Sequence, residues 1–204
     1  MLEDALPDPD AVVAIAARHS FRPIGPFYPG VRAAVSETVA RPLVEALRST
    51  LEATFALTRP ARFHECYLSV VTAAPGDLAP IQRLPHFDGT ESERLAVLLY
   101  LDRKERGGTA FYRQRSTGFE SVDAARFERY RRELEAGIAA EGMPAAAYIA
   151  GDTPLFEQVH SVSGRYNRLI AYRGNTLHCA HLDPSFVPVT DAARGRLTLN
   201  LFLD

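Results

Sequence analysis

Short apolar segments separated by glycine, proline and asparagine dominate the chain after its first quarter. Alternating apolar and polar positions, or a brief apolar run between turn residues, are typical of β-strands. Leu95–Leu101 is an uninterrupted apolar run, which predicts a strand that is buried on both faces. The pattern predicts strands at 63–72, 95–101, 109–112, 155–162, 166–173, 176–182 and 195–203.

Two segments have helical rather than strand periodicity. Residues 36–57 place an apolar side chain at every fourth position, with Ser36 as the expected N-cap. Residues 122–140 form a second, strongly charged helix after Ser121. Residues 1–35 are rich in proline and glycine, which predicts an irregular lead-in. The predicted apolar stripe of the first helix consists of Val39, Leu43, Leu47, Leu51 and Phe55.

The order of these elements favours a mainly β (α+β) fold. The strands do not alternate with helices, as they would in a doubly wound sheet. We therefore predict a double-stranded β-helix, the cupin-like jelly roll, with helices packed on one outer face. It would be one domain over 1–204, with the lead-in and a supporting helix at 1–57, a jelly-roll core at 60–204 and a helical insert near 121–141.

Composition narrows the functional classes. The 204 residues are 47% hydrophobic and carry a net charge of -2, so neither nucleic acid nor an anionic membrane is an expected partner. The two cysteines do not make a disulfide framework, and no secretion signal is recognisable, so we expect a cytoplasmic protein. A symmetric homodimer is the expectation from the commonest oligomeric state alone.

The sharpest chemical signal is the triplet His86-Phe87-Asp88. Side chains at i and i+2 of a strand share a face, so His86 and Asp88 would point to one place. With His178 they would form the two-histidine, one-carboxylate set that binds iron(II) and leaves coordination positions open. The alternative is a plain turn after Pro85, in which these side chains have only local partners.

The second histidine of the set has a competitor. His178 continues an apolar strand, whereas His181 would face the opposite way in the same strand. We prefer His178 and keep His181 as the alternative. His64 and His160 lie in other strands, where core or surface roles are expected.

The last strand carries an unusual polar stripe. Alternation places Arg196, Thr198 and Asn200 on one face, and leucines on the other. A planar guanidinium can bind a carboxylate with two parallel hydrogen bonds. The stripe therefore indicates either a solvated face or an anion site built around Arg196.

Four segments together resemble the 2-oxoglutarate and iron(II)-dependent oxygenases, nearest to a bacterial group in the prolyl 4-hydroxylase-like branch. They are His86-x-Asp88, then LAVLLYL followed by GGTAFYR, then AYRGNTLHCA, then GRLTLNLFL. The separation of His178 from Arg196 is longer than is usual in that branch, which keeps Arg194 as an alternative arginine.

The resemblance implies a fold, a site and a reaction. The family fold is the jelly roll, with iron on His86, Asp88 and His178. Arg196 would bind the distal carboxylate of the co-substrate 2-oxoglutarate, helped by Thr198 and Tyr100. The family uses O2 to oxidise a substrate C–H bond and releases succinate and CO2, and the presence of Asp88 favours hydroxylation.

Two other functions stay open at this point. A cupin-like metal enzyme of another class would use more histidines, so that His160 and His181 would join His178. A non-catalytic jelly roll could hold a ligand without reaction. The primary substrate, a small molecule or a peptide, carries no readable signature.

Overall fold

The computed structural model describes residues 1–183 and 185–204. Within these residues the chain forms three α-helices, eight strands and two short 3-10 turns, Pro75–Asp77 and Pro80–Arg83. The helices are α1 Pro9–Ala16, α2 Glu37–Phe55 and α3 Phe127–Glu141. The strands are β1 Gly30–Ala34, β2 Phe63–Val71, β3 Leu95–Tyr100, β4 Gly108–Gln114, β5 Phe156–Ser163, β6 Leu169–Arg173, β7 His178–His181 and β8 Leu197–Leu203.

The strands form two antiparallel sheets. The larger sheet has the order β1-β2-β8-β3-β6, and the smaller has the order β5-β4-β7. A single antiparallel bridge between His86 and His178 extends the smaller sheet beyond β7. Strands distant in sequence are therefore neighbours in space, and the triplet at 86–88 lies beside the strand that carries the late histidine.

The outer face of the larger sheet is the main hydrophobic core. Leu197, Leu199 and Leu201 of β8 pack there with Leu47 and Leu51 of α2. This confirms the predicted alternation of β8, because its leucines share one face. Burial of all six residues of β3 likewise confirms the prediction from its uninterrupted apolar run.

The inner faces of the two sheets meet each other. Leu98, Tyr100 and Ile170 of the larger sheet cluster with Phe111 and Val162 of the smaller. The space between the sheets is therefore lined by aromatic and aliphatic side chains at its centre. The 183–194 insert closes against one end, where Phe186 contacts the ring of Tyr148 edge-on; Pro184 lies outside the described residues.

The expectation of an irregular lead-in is wrong in two places. Helix α1 begins after Asp8, whose side chain accepts a hydrogen bond from Ala11 N at 3.0 Å, with Pro9 at the first helical position. Strand β1 pairs with β2 throughout its length. Prolines and glycines concentrated between these two elements obscured both of them in the sequence.

The predicted position of the helices also needs correction. Helices α1 and α2 cover the larger sheet, but Tyr130, Leu134 and Ile138 of α3 pack against the outer face of the smaller sheet. The helices therefore do not lie on one outer face. Apolar side chains on α3 determine this, because they match the exposed apolar side of β4 and β5.

The two predicted helix starts and stripes differ from the structure for local reasons. Helix α3 begins at Phe127 because Val122 N bonds to Asn175 O at 2.8 Å and cannot enter a helix. In α2, Val39 is 66% exposed. A strict four-residue repeat drifts around a 3.6-residue helix, so the first member of the stripe leaves the buried face. Ser36 occupies the N-cap without a side-chain capping bond.

Truncating the centre of the larger sheet should destabilise the fold strongly. Leu99 is fully buried in β3, between the sheet and the helices. Leu99→Ala should lower the free energy of unfolding by about 2–5 kcal/mol, because it removes apolar contacts and leaves a cavity. Urea denaturation measures this, with exposed Val39→Ala as the control, for which we expect a change within about 0.5 kcal/mol. Equal losses in both variants would contradict this description of the core.

None of the helices in the described residues combines the length and the apolar character needed to cross a membrane.

Candidate metal centre

Backbone pairing brings His86, Asp88 and His178 together. His86 and His178 exchange two backbone hydrogen bonds, each of 2.8 Å, as in a hydrogen-bonded antiparallel pair. Asp88 N donates to Gly174 O at 2.7 Å. Residues 86 and 88 are thus attached as a short extended segment beside β7, with their side chains on the same side, as the triplet predicts.

The three side chains offer one ligand atom each to a common point. These atoms lie within 4.8 Å of one another. His178 Nε2 is 3.3 Å from Asp88 Oδ2, and His86 Nε2 is 3.8 Å from Asp88 Oδ1. Two imidazole nitrogens and a carboxylate therefore converge from two chain segments, and one side of the group remains free of further protein ligands among the described residues.

The proton on His178 is placed by a backbone partner. His178 Nδ1 is 2.8 Å from the carbonyl oxygen of Thr176. A carbonyl can only accept, so Nδ1 carries the hydrogen and the Nε2 lone pair faces Asp88. Metal-binding histidines are commonly oriented in this way by a second hydrogen bond.

The electrostatics of the group favour an added cation. Burial raises the pKa of Asp88, although the charges of His178 and Arg32 oppose this rise. Burial and the same kind of neighbouring charge, from His178 and Arg32, lower the pKa of His86 well below its usual value. Asp88 Oδ2 is buried and makes no hydrogen bond to a described residue. A divalent ion would bind the neutral imidazoles and the carboxylate oxygen and would compensate for this desolvation.

Aromatic side chains surround the His178 ring. The ring of Tyr172 lies 4.7 Å away and that of Phe111 lies 6.4 Å away, centroid to centroid. Neither residue was singled out from the sequence, because each reads as an ordinary strand aromatic. They narrow the space beside the ligand group and limit access of water to it.

The competing histidines lie elsewhere. His181 is on the opposite face of β7 from His178 and is absent from the group of converging ligand atoms. His160 is exposed and stacks on Phe111 at 6.1 Å. The structure therefore brings His178, and not His181, to His86 and Asp88.

Arg196 and its neighbours form a second polar group on the inner wall. Arg196 is 5% exposed, and its Nη2 donates to Gly108 O at 2.7 Å. Thr198 lies opposite Tyr100 in the β8–β3 pairing, and the Tyr100 hydroxyl is 2.7 Å from Thr109 Oγ1. Arg194, the alternative arginine, is exposed.

Arg94 supports the segment that follows the metal triplet. Its Nε and Nη2 bind the Asp204 carboxylate at 2.7 and 3.3 Å, and its Nη1 donates to Asp88 O at 3.2 Å. The C-terminal residue thus fixes the backbone of Asp88 through one side chain. The sequence contains no local signal for this contact between distant segments.

Comparison with known proteins adds a fold and a family. HygX from Streptomyces hygroscopicus, solved with nickel and 2-oxoglutarate bound, has a similar fold, with a TM-score of 0.53 at 14% identity over 99% of this chain and 80% of that chain. No curated protein matches the sequence. The model of the family described as "Family of unknown function (DUF6445)" matches residues 1–203, and the chain therefore belongs to that family.

Proposed function

We propose that this protein is an iron(II)- and 2-oxoglutarate-dependent dioxygenase that hydroxylates a C–H bond of its substrate. The observation that carries the proposal is the convergence of His86, Asp88 and His178 on the inner wall of the two sheets. This donor set suits iron(II) and occupies only one side of the ion, so that positions stay open for a chelating co-substrate and O2. A site for binding alone would not need open positions on a redox metal.

The architecture supports the same assignment. Two facing antiparallel sheets, with β8 between β2 and β3 and the 86–88 segment beside β7, are consistent with a double-stranded β-helix. The fold likeness to HygX, a protein that binds 2-oxoglutarate and nickel, points the same way. The order of the motifs from His86 to Arg196 is the reason for placing the protein nearest to the prolyl 4-hydroxylase-like branch.

The polar group around Arg196 is suited to the distal carboxylate of 2-oxoglutarate. Arg196 makes one hydrogen bond to a described residue, so most of its N–H donors are free to bind an anion. Ser69 lies opposite Thr198 in the β2–β8 pairing, and its buried hydroxyl has no partner among the described residues. Burial raises the pKa of Tyr28, whose hydroxyl is also unpartnered and has Arg196 as its first opposing charge. An oxyanion would accept hydrogen bonds from these groups.

Each residue then has a defined task. His86, Asp88 and His178 would hold the metal, with His178 oriented by the Thr176 carbonyl. The bound iron would supply activation of O2, coupled to oxidative decarboxylation of 2-oxoglutarate to succinate and CO2. Arg196, Thr198 and Tyr100 would orient the co-substrate, and Phe111 and Tyr172 would keep the reacting region dry.

The competing functions receive less support. A cupin-like enzyme of another class was expected to use His160 and His181 as well as His178. Neither of the first two belongs to the converging group. A purely ligand-binding jelly roll gives no reason for unpartnered donors around Arg196 together with an incomplete metal set.

The first test is co-substrate turnover. Purified protein supplied with iron(II) and 2-oxoglutarate in air should form succinate, slowly without its primary substrate, and should form none when the iron is chelated. Succinate is measured by chromatography, and the chelated sample is the control. Absence of both succinate formation and anaerobic 2-oxoglutarate binding would contradict the proposed function.

A further inference from the structure

Arg32 is a half-buried cation without a counter-charge. Its guanidinium makes no hydrogen bond and no ion pair with any described residue, and its Nε is fully buried without a partner. The guanidinium carbon lies 4.3 Å from the centroid of the Tyr28 ring and 5.1 Å from that of Tyr67. Two aromatic faces thus hold the side chain in place and leave its hydrogen-bonding edge unused.

Other enclosed arginines are paired. Arg106 binds the buried Asp102 through two nitrogens at 2.8 and 2.9 Å, and Arg94 binds Asp204. Arg196 donates to a carbonyl. Removing a charge from water without a partner is unfavourable, so an unpaired but immobilised guanidinium is a feature that stability alone does not explain.

The position of Arg32 links it to the metal centre. In the larger sheet Arg32 lies opposite Ser69, which lies opposite Thr198, so all three belong to one row across the inner face. Its charge contributes to the lowered pKa of His86 and opposes the raised pKa of Asp88, after burial and His178 in both cases. The guanidinium therefore faces the same interior space as the candidate ligands.

Tyr28 separates Arg32 from the Arg196 group. The Tyr28 ring lies against Arg32, whereas its hydroxyl is held near Arg196, Thr198 and Ser69. Two β-strand spacings, about 10 Å, separate the backbones of Arg32 and Thr198. The inner wall thus contains two cationic groups on opposite sides of one tyrosine, and a 2-oxoglutarate molecule on Arg196 would leave Arg32 free.

Tyr67 is itself fixed in position. Its hydroxyl donates to Glu65 Oε2 at 2.7 Å, which holds the ring against the guanidinium. Glu65 is thus engaged by Tyr67 and is not paired with Arg32. The arrangement preorganises Arg32 before any anion arrives, which lowers the ordering cost of binding.

We propose that Arg32 binds an oxyanion, a carboxylate or a phosphate, of the primary substrate and so determines that the oxidised substrate is anionic. This rests on the proposed function, because it assigns the co-substrate to Arg196. The same chemistry could instead come from 2-oxoglutarate itself, and the experiment below separates these two sources.

The first arm measures stability, without any ligand. Arg32→Met keeps the unbranched stem and removes an unpaired charge, so its urea midpoint should equal or exceed that of the wild type. Arg106→Met is the matched control and should lower the midpoint, because it leaves Asp102 buried without its partner. A loss in Arg32→Met as large as that in Arg106→Met would overturn the proposal, since Arg32 would then be structural. This arm does not depend on metal or 2-oxoglutarate binding.

The second arm measures anion binding, with sodium acetate and inorganic phosphate as probes. The protein is loaded with manganese(II) and saturating 2-oxoglutarate, and sodium chloride at equal ionic strength is the reference. At least one probe should bind the wild type, and should bind Arg32→Met about tenfold or more weakly in calorimetry. Exposed Arg22→Met is the matched control and should bind like the wild type.

Three results would contradict the proposal in this arm. If neither probe binds the wild type, or if Arg32→Met binds it equally well, Arg32 is not an anion site. If Arg32→Met instead loses affinity for 2-oxoglutarate, Arg32 belongs to the co-substrate. If manganese and 2-oxoglutarate both fail to bind the wild type while the stability arm gives the expected result, the proposed function fails and the unpaired state of Arg32 stands.

Discussion

His178→Ala should reduce iron-dependent succinate formation by at least about 100-fold, because even loss of a residue that only supports a ligand costs 10–100-fold. His178 supplies one of the two imidazoles in the group, and its Nε2 lies 3.3 Å from Asp88 Oδ2. Removing it leaves one imidazole and one carboxylate, which cannot hold iron firmly at one face. Succinate formation and anaerobic iron binding should fall together in this variant.

The control for this prediction is in the same strand. His181→Ala removes a histidine from the opposite face of β7 and should retain activity and iron binding within about twofold, as a surface substitution does. Urea denaturation of both variants shows whether folding is preserved. Iron binding that persists in His178→Ala and disappears in His181→Ala would contradict the assignment of the ligands.

Arg196→Gln should raise the KM for 2-oxoglutarate by about 30-fold or more and leave metal affinity unchanged. A charged hydrogen-bonding pair contributes about 2 kcal/mol or more, and this corresponds to about 30-fold in affinity. Glutamine can keep the bond to Gly108 O but cannot offer a cationic fork to a carboxylate. The KM is measured from succinate formation, and metal affinity from an anaerobic titration with iron(II).

The matched control is Arg194→Gln, which removes a charge two residues away from an exposed side chain. Its KM for 2-oxoglutarate should remain within about twofold of the wild type. A large rise in KM in Arg194→Gln but not in Arg196→Gln would show that the neighbouring arginine binds the co-substrate, and would reopen the register of β8.

Local patterns were sufficient to predict the strands and the faces of β8. The leucines at 197, 199 and 201 lie in the core between sheet and helices, as strict alternation requires. The apolar run of β3 is buried at every position for the same reason. These features depend on the hydrophobic effect acting on neighbouring positions, so a single sequence contains the information needed.

Features that depend on distant backbone partners could not be predicted. Val122 bonds to Asn175 and delays the start of α3, although residues 122–126 have helical periodicity. Strand β1 exists because it pairs with β2, and its five residues carry little strand signal alone. Tertiary pairing overrides local propensity in both cases.

The candidate site divides in the same way. The shared face of His86 and Asp88 follows from residue spacing, whereas the reciprocal pairing of His86 with His178 becomes visible only in the fold. Arg32 was missed because a single arginine between Val31 and Ala33 gives only a short alternation. Its unpaired state between Tyr28 and Tyr67 is a tertiary property.

The most direct test of the account is a crystal structure of the protein soaked anaerobically with manganese(II) and 2-oxoglutarate. Anomalous scattering should place one metal ion on His86, Asp88 and His178, with the keto-acid end of 2-oxoglutarate chelating it and the distal carboxylate on Arg196. A metal ion bound elsewhere, or a 2-oxoglutarate molecule that contacts neither the ion nor Arg196, would contradict the account.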